Sequence, residues 1–392
     1  MNKRSIKDAE LGGKTALVRV DFNVPMRDGV ISDDSRIKAT LPTLSLLKHG
    51  GAKIVICSHF GRPKGQIVAD MRLTAVRKRL SELLGAEVID AGGPSGEETS
   101  HICSQLKPSE FALLENLRFD PGEEANDLEF SKYLASLADI FVNDAFGAAH
   151  RAHASTAGVA AHLPAYAGLL MERELEMLGS SLETSKGASV AIVGGAKVTD
   201  KIQVLRHLSN KVDTILVGGG MVAAFYVAKG DSGGAATVSP EDASAAESLL
   251  GSNGANVVLP ADVVTAPDFN ENSPATIHES SDVPANELIL DIGPRSSAEY
   301  TRIISLVDTI IWNGPMGVFE WPAFAEGSVA VAKAVATNTK AVSVIGGGST
   351  AEIVGSLDLV DQITHVSTGG GASLEFLEGK TLPGVAALDD NG

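Results

Sequence analysis

One pattern recurs along this chain: a short apolar run is stopped by glycine, and a segment with helical spacing follows. Val190–Val193 meets Gly194-Gly195, Leu216-Val217 meets Gly218–Gly220, and Ile310–Trp312 meets Asn313-Gly314-Pro315-Met316-Gly317. Val344-Ile345 meets Gly346–Gly348, and Val366-Ser-Thr meets Gly369–Gly371. Leu288–Ile292, ended by Gly293-Pro294, reads as a further run of the kind. Helical segments are expected at Met221–Lys229, Ser328–Ala336, Thr350–Leu357 and Ser373–Glu378. A strand covered on both faces has no polar alternation, so such runs predict buried strands of a parallel sheet. The first half repeats the pattern with Thr15–Val20, Lys53–Cys57, Glu87–Ile89, Phe111–Leu114 and Ile140–Val142. Strands alternating with helices predict open, doubly wound parallel sheets. The 392 residues suffice for two such domains, each of roughly 150–200 residues.

Between the halves, Met171, Leu175, Leu178 and Leu182 form one apolar stripe, with Glu172, Arg173, Glu174 and Glu176 filling much of the remainder. This predicts a long helix joining two lobes, although the stripe also suits a helix inside one domain. The expected domains are 1–170 and 171–378, the second starting with this helix.

In open parallel sheets, ligands sit beyond the carboxyl ends of the strands. Those loops are rich in charge in the first half: Arg19-Val-Asp21-Phe-Asn23, Asp33-Asp34-Ser-Arg36, Ser58-His59-Phe-Gly61-Arg62-Pro63-Lys64, Glu115-Asn116-Leu-Arg118 and Asn143-Asp144 through His150-Arg151-Ala-His153. A single arginine is usually a solvated surface charge. Several at one sheet edge point to an anion, because like charges crowd together only when an opposite charge compensates. Guanidinium forks suit phosphate and carboxylate oxygens. His59, His150 and His153 could donate there, and no pairing with carboxylates marks them as metal ligands.

In the second half, glycine-lined strand exits let a backbone approach a flat or phosphorylated ligand, and helix starts offer free N–H groups to phosphate. The stretch Val190–Lys201 carries Lys197 and Lys201, expected on one helix face above the strand end. It matches neither GxxxxGK[ST] nor GxGxxG, and glycine there also suits an ordinary tight turn.

The net charge of −17 is uneven. Residues up to Leu170 hold 20 Lys+Arg against 21 Asp+Glu, and the rest hold 12 against 28. No basic stripe offers a nucleic-acid footprint. A small anion that needs several arginines fits the first half. Met1–Lys14 has no apolar core segment, so no signal peptide is expected, and no apolar stretch is long enough to span a bilayer. Cys57 lies in an apolar run, and Cys103 is the only other cysteine, so reduced thiols and a cytoplasmic location are expected.

Taken together, these residues resemble the phosphoglycerate kinase family. The resemblance rests on Val18–Pro25, Asp33–Ile37, Ser58–Gly65, Leu114–Phe119, Val142–Gly147 with His150–His153, Gly194–Val198 with Asp200-Lys201, Trp312–Glu320, Gly346–Gly348 and Thr368–Ser373. These segments span nearly the whole chain in the family's order. The likeness implies a bilobal kinase of two Rossmann-like domains joined by a hinge helix, catalysing 1,3-bisphosphoglycerate + ADP ⇌ 3-phosphoglycerate + ATP with magnesium. It implies that Asp21, Asn23, Arg36, His59, Arg62, Arg118 and Arg151 hold phosphoglycerate. Lys201, Gly293, Glu320, Gly347, Gly348, Ser349 and Thr350 would hold the nucleotide, with Glu320 on the ribose hydroxyls. Lys197 would meet the transferring phosphoryl group, together with Arg36. Helix starts near Gly347 and Gly371 would add donors to it. The tail, 379–392, would return to the first lobe, and a monomer is implied.

One departure concerns the metal. The family commonly carries aspartate where this chain has Ser349, and a neutral hydroxyl is a weaker ligand for a hard cation. No protein ligand for magnesium is therefore assigned, and the ion would ride on ADP or ATP. Two other readings remain: a two-lobed NAD-dependent dehydrogenase, which lacks its GxGxxG, and a non-catalytic sugar-phosphate-binding protein, which leaves Lys197 without a task.

Overall fold

The apolar runs form the strands of two separate sheets in the computed structural model, which describes residues 3–183 and 187–391. The chain divides into two compact units, Met1–Glu176 with Thr381–Gly392, and Met177–Lys380.

In the first unit, β1 (Thr15–Arg19), β2 (Lys53–Cys57), β3 (Val88–Asp90), β4 (Phe111–Leu113), β5 (Ile140–Asn143) and β6 (Ala165–Ala167) pair in the order β3-β4-β2-β1-β5-β6, all parallel. The order reverses between β1 and β5, which places the crevice for a ligand at their carboxyl ends. Val18, Ile54, Ile56, Phe111 and Val142 meet Ile37 and Leu44 of helix Ser35–His49 and Leu80 of helix Thr74–Leu84 in one buried core. Burying each such side chain contributes about 1.5–3 kcal/mol, which holds the helices on the sheet. Residues from 381 onward belong to this unit: Asn143 Nδ2 donates to Gly384 O at 3.0 Å, and Lys3 pairs with Asp390 at 2.8 Å.

The second unit repeats the plan. Its parallel sheet has the order β9-β8-β7-β13-β14-β15, formed by β7 (Ser189–Gly194), β8 (Thr214–Gly218), β9 (Asn256–Val258), β13 (Thr309–Asn313), β14 (Val342–Gly346) and β15 (His365–Val366). Here the order reverses between β7 and β13. A separate antiparallel sheet inserts between β9 and β13, with β10 (Asp262–Ala266) flanked by β11 (Thr276–Glu279) and β12 (Leu288–Ile292). This corrects the expectation for Leu288–Ile292, which is not a strand of the parallel sheet. Its apolar run looks the same because Phe324 and Leu290 build a small core of their own.

The apolar stripe Met171, Leu175, Leu178, Leu182 is buried on helix Leu169–Glu183, and the boundary between the units falls within this helix. The helix start is capped by Asp144, whose Oδ1 accepts Leu170 N at 2.9 Å and Met171 N at 3.2 Å. Its Oδ2 is buried without a partner. Burial, opposed by the bonds from Thr43, Met171 and Leu170, pushes this carboxyl up to about 6 from an ordinary 3.8. The folded state thus holds the proton more tightly than the unfolded chain. Stability from this group is greatest in acid and falls as pH rises from about 4 to 6. Between pH 4 and pH 8, Asp144→Asn should gain roughly 2–3 kcal/mol relative to wild type, read from urea midpoints. A constant difference across that range would refute the assignment.

Candidate active site

The charged loops of the first unit gather around one buried arginine. Arg19 ends β1 with 1% of its surface exposed. Its Nε donates to Ser155 Oγ at 2.8 Å, its Nη1 to Val20 O, and its Nη2 faces His59 Nδ1 at 3.1 Å. Ser155 donates its hydroxyl to Glu123 Oε1 at 2.6 Å and its N–H to Oε2 at 3.0 Å. Burial alone would raise the Glu123 carboxyl. Bonding from His153, the Arg19 charge and Ser155 outweigh it and hold the group below its ordinary range.

Hydrogen bonds join several of the predicted residues around this centre. Arg36 Nη1 donates to Asp21 Oδ2 at 2.8 Å, and Asn23 Oδ1 accepts Gly61 N at 3.0 Å. Arg118 donates to Gly61 O at 2.7 Å and pairs with Glu124 at 3.1 Å. His59 is 6% exposed. Burial first, then the charges of Arg19, Arg118, Arg151 and Arg36, hold its ring well below the ordinary histidine value, so it is neutral. Arg19 meets the ring directly, Arg36 is bonded to Asp21 3.9 Å from it, and Arg118 bonds the Gly61 carbonyl two residues further along the same loop. Among the described residues, neither Arg62, which is exposed, nor Arg151 forms an ion pair with a carboxylate; Arg151 donates to its neighbour His150. His153 lies 3.7 Å from Glu123, an internal partner.

The second unit builds its site from backbone. β7 and β13 leave the sheet at Gly194 and Gly314, which touch. A Cβ on Gly194 would overlap Pro315 O, and one on Gly314, at φ +98°, would overlap Gly194 O. Gly314 is held from both sides: its carbonyl accepts the buried Trp312 indole N–H at 2.8 Å, and its N–H donates to Thr350 Oγ1 at 2.8 Å. Beside this contact lies a groove of about 380 Å³. Gly195, Gly219, Gly220 and Gly317 form part of its wall, Leu288, Leu290 and Val318 supply apolar surface, and the exposed Glu320 and Phe269 also line it.

Lys201 donates to Asn313 Oδ1, and burial lowers its affinity for the proton against the pull of Glu378 and Asp200. Asn313 Nδ2 is buried without a partner, on the side of Gly346 and Gly347. Gly347 caps helix Gly348–Ser356. Gly348 and Ser349 are exposed at its start, while the Thr350 hydroxyl is spent on Gly314. The Gly293 N–H donates to Asp262 O, and the Asp262 carboxylate caps helix Pro294–Ile304 through Arg295 N and Ser296 N.

Lys197 and Lys201 do not share a helix face, contrary to expectation. Helix Ile202–Ser209 starts after Lys201, and residues 196–201 form a turn pinned by buried Val198 and by Asp242, which accepts Thr199 N at 2.9 Å. Lys197 is thus exposed on a loop. Sequence reasoning passed over four residues of these sites. Arg19 and Asn313 had a signal, a polar side chain at the end of an apolar strand. Glu123 and Ser155 had none that set them apart from their neighbours.

Among the described residues, no group of three or more His, Cys, Asp or Glu side chains could hold a metal ion. No helix there is long and apolar enough to cross a membrane. Cys57 and Cys103 are free and buried, and burial raises the Cys57 thiol to about 12.

One open sheet that gathers arginines at its exits, and another that lines its exits with glycine beside an apolar groove, define a two-unit α/β enzyme for phosphorylated ligands. The chain belongs to the phosphoglycerate kinase family, whose model matches residues 6–380. It is similar to the solved phosphoglycerate kinase from Coxiella burnetii, at 40% identity and a TM-score of 0.90 over 98% of both chains. It is also similar to that from Pyrococcus horikoshii OT3, at 34% identity and a TM-score of 0.85 over 98% of both. As a member of this family it is a phosphotransferase with a carboxyl group as acceptor.

The Gly194–Gly314 contact leaves no room for a side chain. Gly314→Ala should cost at least about 2 kcal/mol. Gly179→Ala, in mid-helix where a Cβ meets no described atom within 4 Å, should instead stabilise by about 1 kcal/mol. Chemical denaturation of both variants checks the pair, and equal effects would sink the argument.

Proposed function

We propose that the first unit binds 3-phosphoglycerate or 1,3-bisphosphoglycerate and the second binds ADP or ATP, and that the phosphoryl group passes directly between them. The observation that carries this is the clustering of Arg19, Arg36 and Arg118 around the buried His59 and its loop, with Arg62 and Arg151 free of carboxylate partners. A cluster with spare guanidiniums is complementary to a ligand with several anionic oxygens. Asp21 orients Arg36, and Asp21 and Asn23 would receive the substrate hydroxyl and carboxyl end. Arg62, Arg118 and Arg151 would take the phosphate.

In the second unit the apolar groove suits a nucleobase, with Glu320 as acceptor for ribose hydroxyls. Lys201 and the exposed start of helix Gly348–Ser356, at Gly347, Gly348, Ser349 and Thr350, would meet the phosphates. Gly293, directly after the strand that lines the groove with Leu288 and Leu290, would also meet the nucleotide. Lys197, on its exposed loop, is free to reach the transferring group, and Arg36 would approach it from the other substrate.

Phosphoryl transfer asks for positioning and charge neutralisation rather than a covalent nucleophile. Substrates held on different units require those units to come together, which would also exclude water from the acyl phosphate. Helix Leu169–Glu183 is the natural axis. Ser349 and Glu352 near the nucleotide loop offer too few donors for an all-protein magnesium site, so the ion would arrive on the nucleotide phosphates and neutralise their charge there. We further propose a cytoplasmic monomer.

A coupled assay, with ATP and 3-phosphoglycerate supplied and NADH oxidation by an added dehydrogenase recorded, tests the reading. Lys197→Ala should lower kcat by roughly 10²–10³-fold with 3-phosphoglycerate affinity retained. Near-normal turnover would remove Lys197 from the transfer step. Ser349→Asp should lower the magnesium concentration needed for half-maximal rate, and an unchanged titration would mean that this position does not meet the ion.

A further inference from the structure

We propose that His59 serves the substrate as a hydrogen-bond donor through Nε2–H, its Nδ1 being held as an acceptor by Arg19, and that Glu123 and Ser155 are positioning residues that fix this tautomer. The inference rests on the reading that His59 faces phosphoglycerate and names the state in which it does so.

The chain of bonds has a direction. Glu123 is wholly buried and carries two acceptor oxygens, so the Ser155 hydroxyl at 2.6 Å must point its proton at Oε1. That leaves a lone pair of the same hydroxyl for Arg19 Nε at 2.8 Å. With Nε on Ser155 and Nη1 on Val20 O, the guanidinium plane is set, and Nη2 is left aimed at His59 Nδ1 at 3.1 Å. A guanidinium only donates. Nδ1 must therefore accept, and the single proton of a neutral ring sits on Nε2.

One group competes for the other tautomer. Asp21 Oδ1 lies 3.9 Å from the same Nδ1 and would favour a proton there. That distance is beyond a hydrogen bond, and Asp21 is already engaged by Arg36 on Oδ2 and Asn23 N on Oδ1. The contact at 3.1 Å wins. A donor at this position suits a ligand whose oxygens are all acceptors. Burial first, and then the positive charge of Arg19, Arg118, Arg151 and Arg36, keeps the ring from becoming an imidazolium. The acidic groups of the cluster, Asp21, Glu123 and Glu124, are each paired with one of those arginines or with Ser155.

The test is nitrogen NMR on enzyme labelled with ¹⁵N in its nine histidines, using the two-bond proton–nitrogen correlation that separates the tautomers. The His59 ring is assigned by its loss in His59→Gln. At neutral pH the free enzyme should show Nδ1 unprotonated and Nε2 protonated, and Nε2 should shift on adding 3-phosphoglycerate. A protonated Nδ1, alone or in an imidazolium, overturns the proposal without touching the substrate assignment. The expected tautomer with no response to 3-phosphoglycerate instead removes the donor role by removing the substrate from His59. In Ser155→Ala the ring should populate both tautomers, and KM for 3-phosphoglycerate should rise roughly tenfold while KM for ATP stays within about twofold. A merely structural serine would lower stability without that split. If Ser155→Ala keeps both the wild-type ring pattern and the wild-type KM, the relay is refuted.

Discussion

A guanidinium with 1% of its surface exposed has lost its water, and each of its donors must find a partner inside the protein. Arg19 meets that demand from three other strand exits. His59 follows β2, Glu123 lies in the short helix Pro121–Glu124 after β4, and Ser155 lies beyond β5. Removing one partner of a buried charge costs about 3–5 kcal/mol, more than most single contacts contribute. The same bonds that satisfy Arg19 therefore tie four loops into one frame. The remaining arginines inherit their positions from it: Arg118 bonds Gly61 on the loop after β2, and Arg36 bonds Asp21 directly after β1.

The second unit has the same strand reversal but meets the opposite constraint. Its central exits, after β7 and β13, are pressed together, so side chains are excluded rather than gathered. Trp312 and Thr350 fix the Gly314 peptide from below and from the neighbouring helix. Space next to bare backbone is unobstructed, and Leu288, Leu290 and Val318 make it apolar, which suits a ring rather than a cluster of oxygens. The inserted antiparallel sheet supplies the groove with Leu288 and Leu290. One topology thus yields a charged site where polar side chains end the strands and a shape-selective site where glycine does.

The strands were largely legible in the sequence because burial on both faces leaves an unbroken apolar run. Lys53–Cys57 forms as read, and the other runs named agree within a residue or two, whereas the short Ala165–Ala167 and Asn256–Val258 and the inserted Asp262–Ala266 and Thr276–Glu279 were not read as strands. Leu288–Ile292 defeated the reading since a run says how deeply a strand is buried and not which sheet buries it. The Lys197–Lys201 turn failed because Val198, Ile202 and Leu205 keep helical spacing although Val198 anchors a turn. Of the site, Arg19 and Asn313 could have been read from their places at the ends of apolar strands. Glu123 could not: it stands beside Glu124 in sequence, yet one is wholly buried among Ser155, His153 and Arg19 and the other is about 40% exposed.

A further tension lies in the charge. The chain from Met171 onward holds 12 Lys+Arg against 28 Asp+Glu, yet it contains the groove proposed for a nucleotide, itself an anion. The placement of the acids resolves it. Asp213 precedes β8 and accepts Ser189 N at 2.8 Å, and Asp308 precedes β13 and accepts Ala188 N at 3.1 Å. Both sit at the amino edge of the sheet, a strand length of about 16 Å from the glycine exits. That is about twice the screening length at physiological salt. Asp262 and Asp242 are spent on backbone N–H groups of Arg295, Ser296 and Thr199, whose dipoles offset their charge locally. These four acids thus serve as backbone acceptors, while Lys201 stands beside Asn313 at the end of β13. The net charge describes the molecule's far field, and the local field at the strand exits is set by a few residues within a screening length.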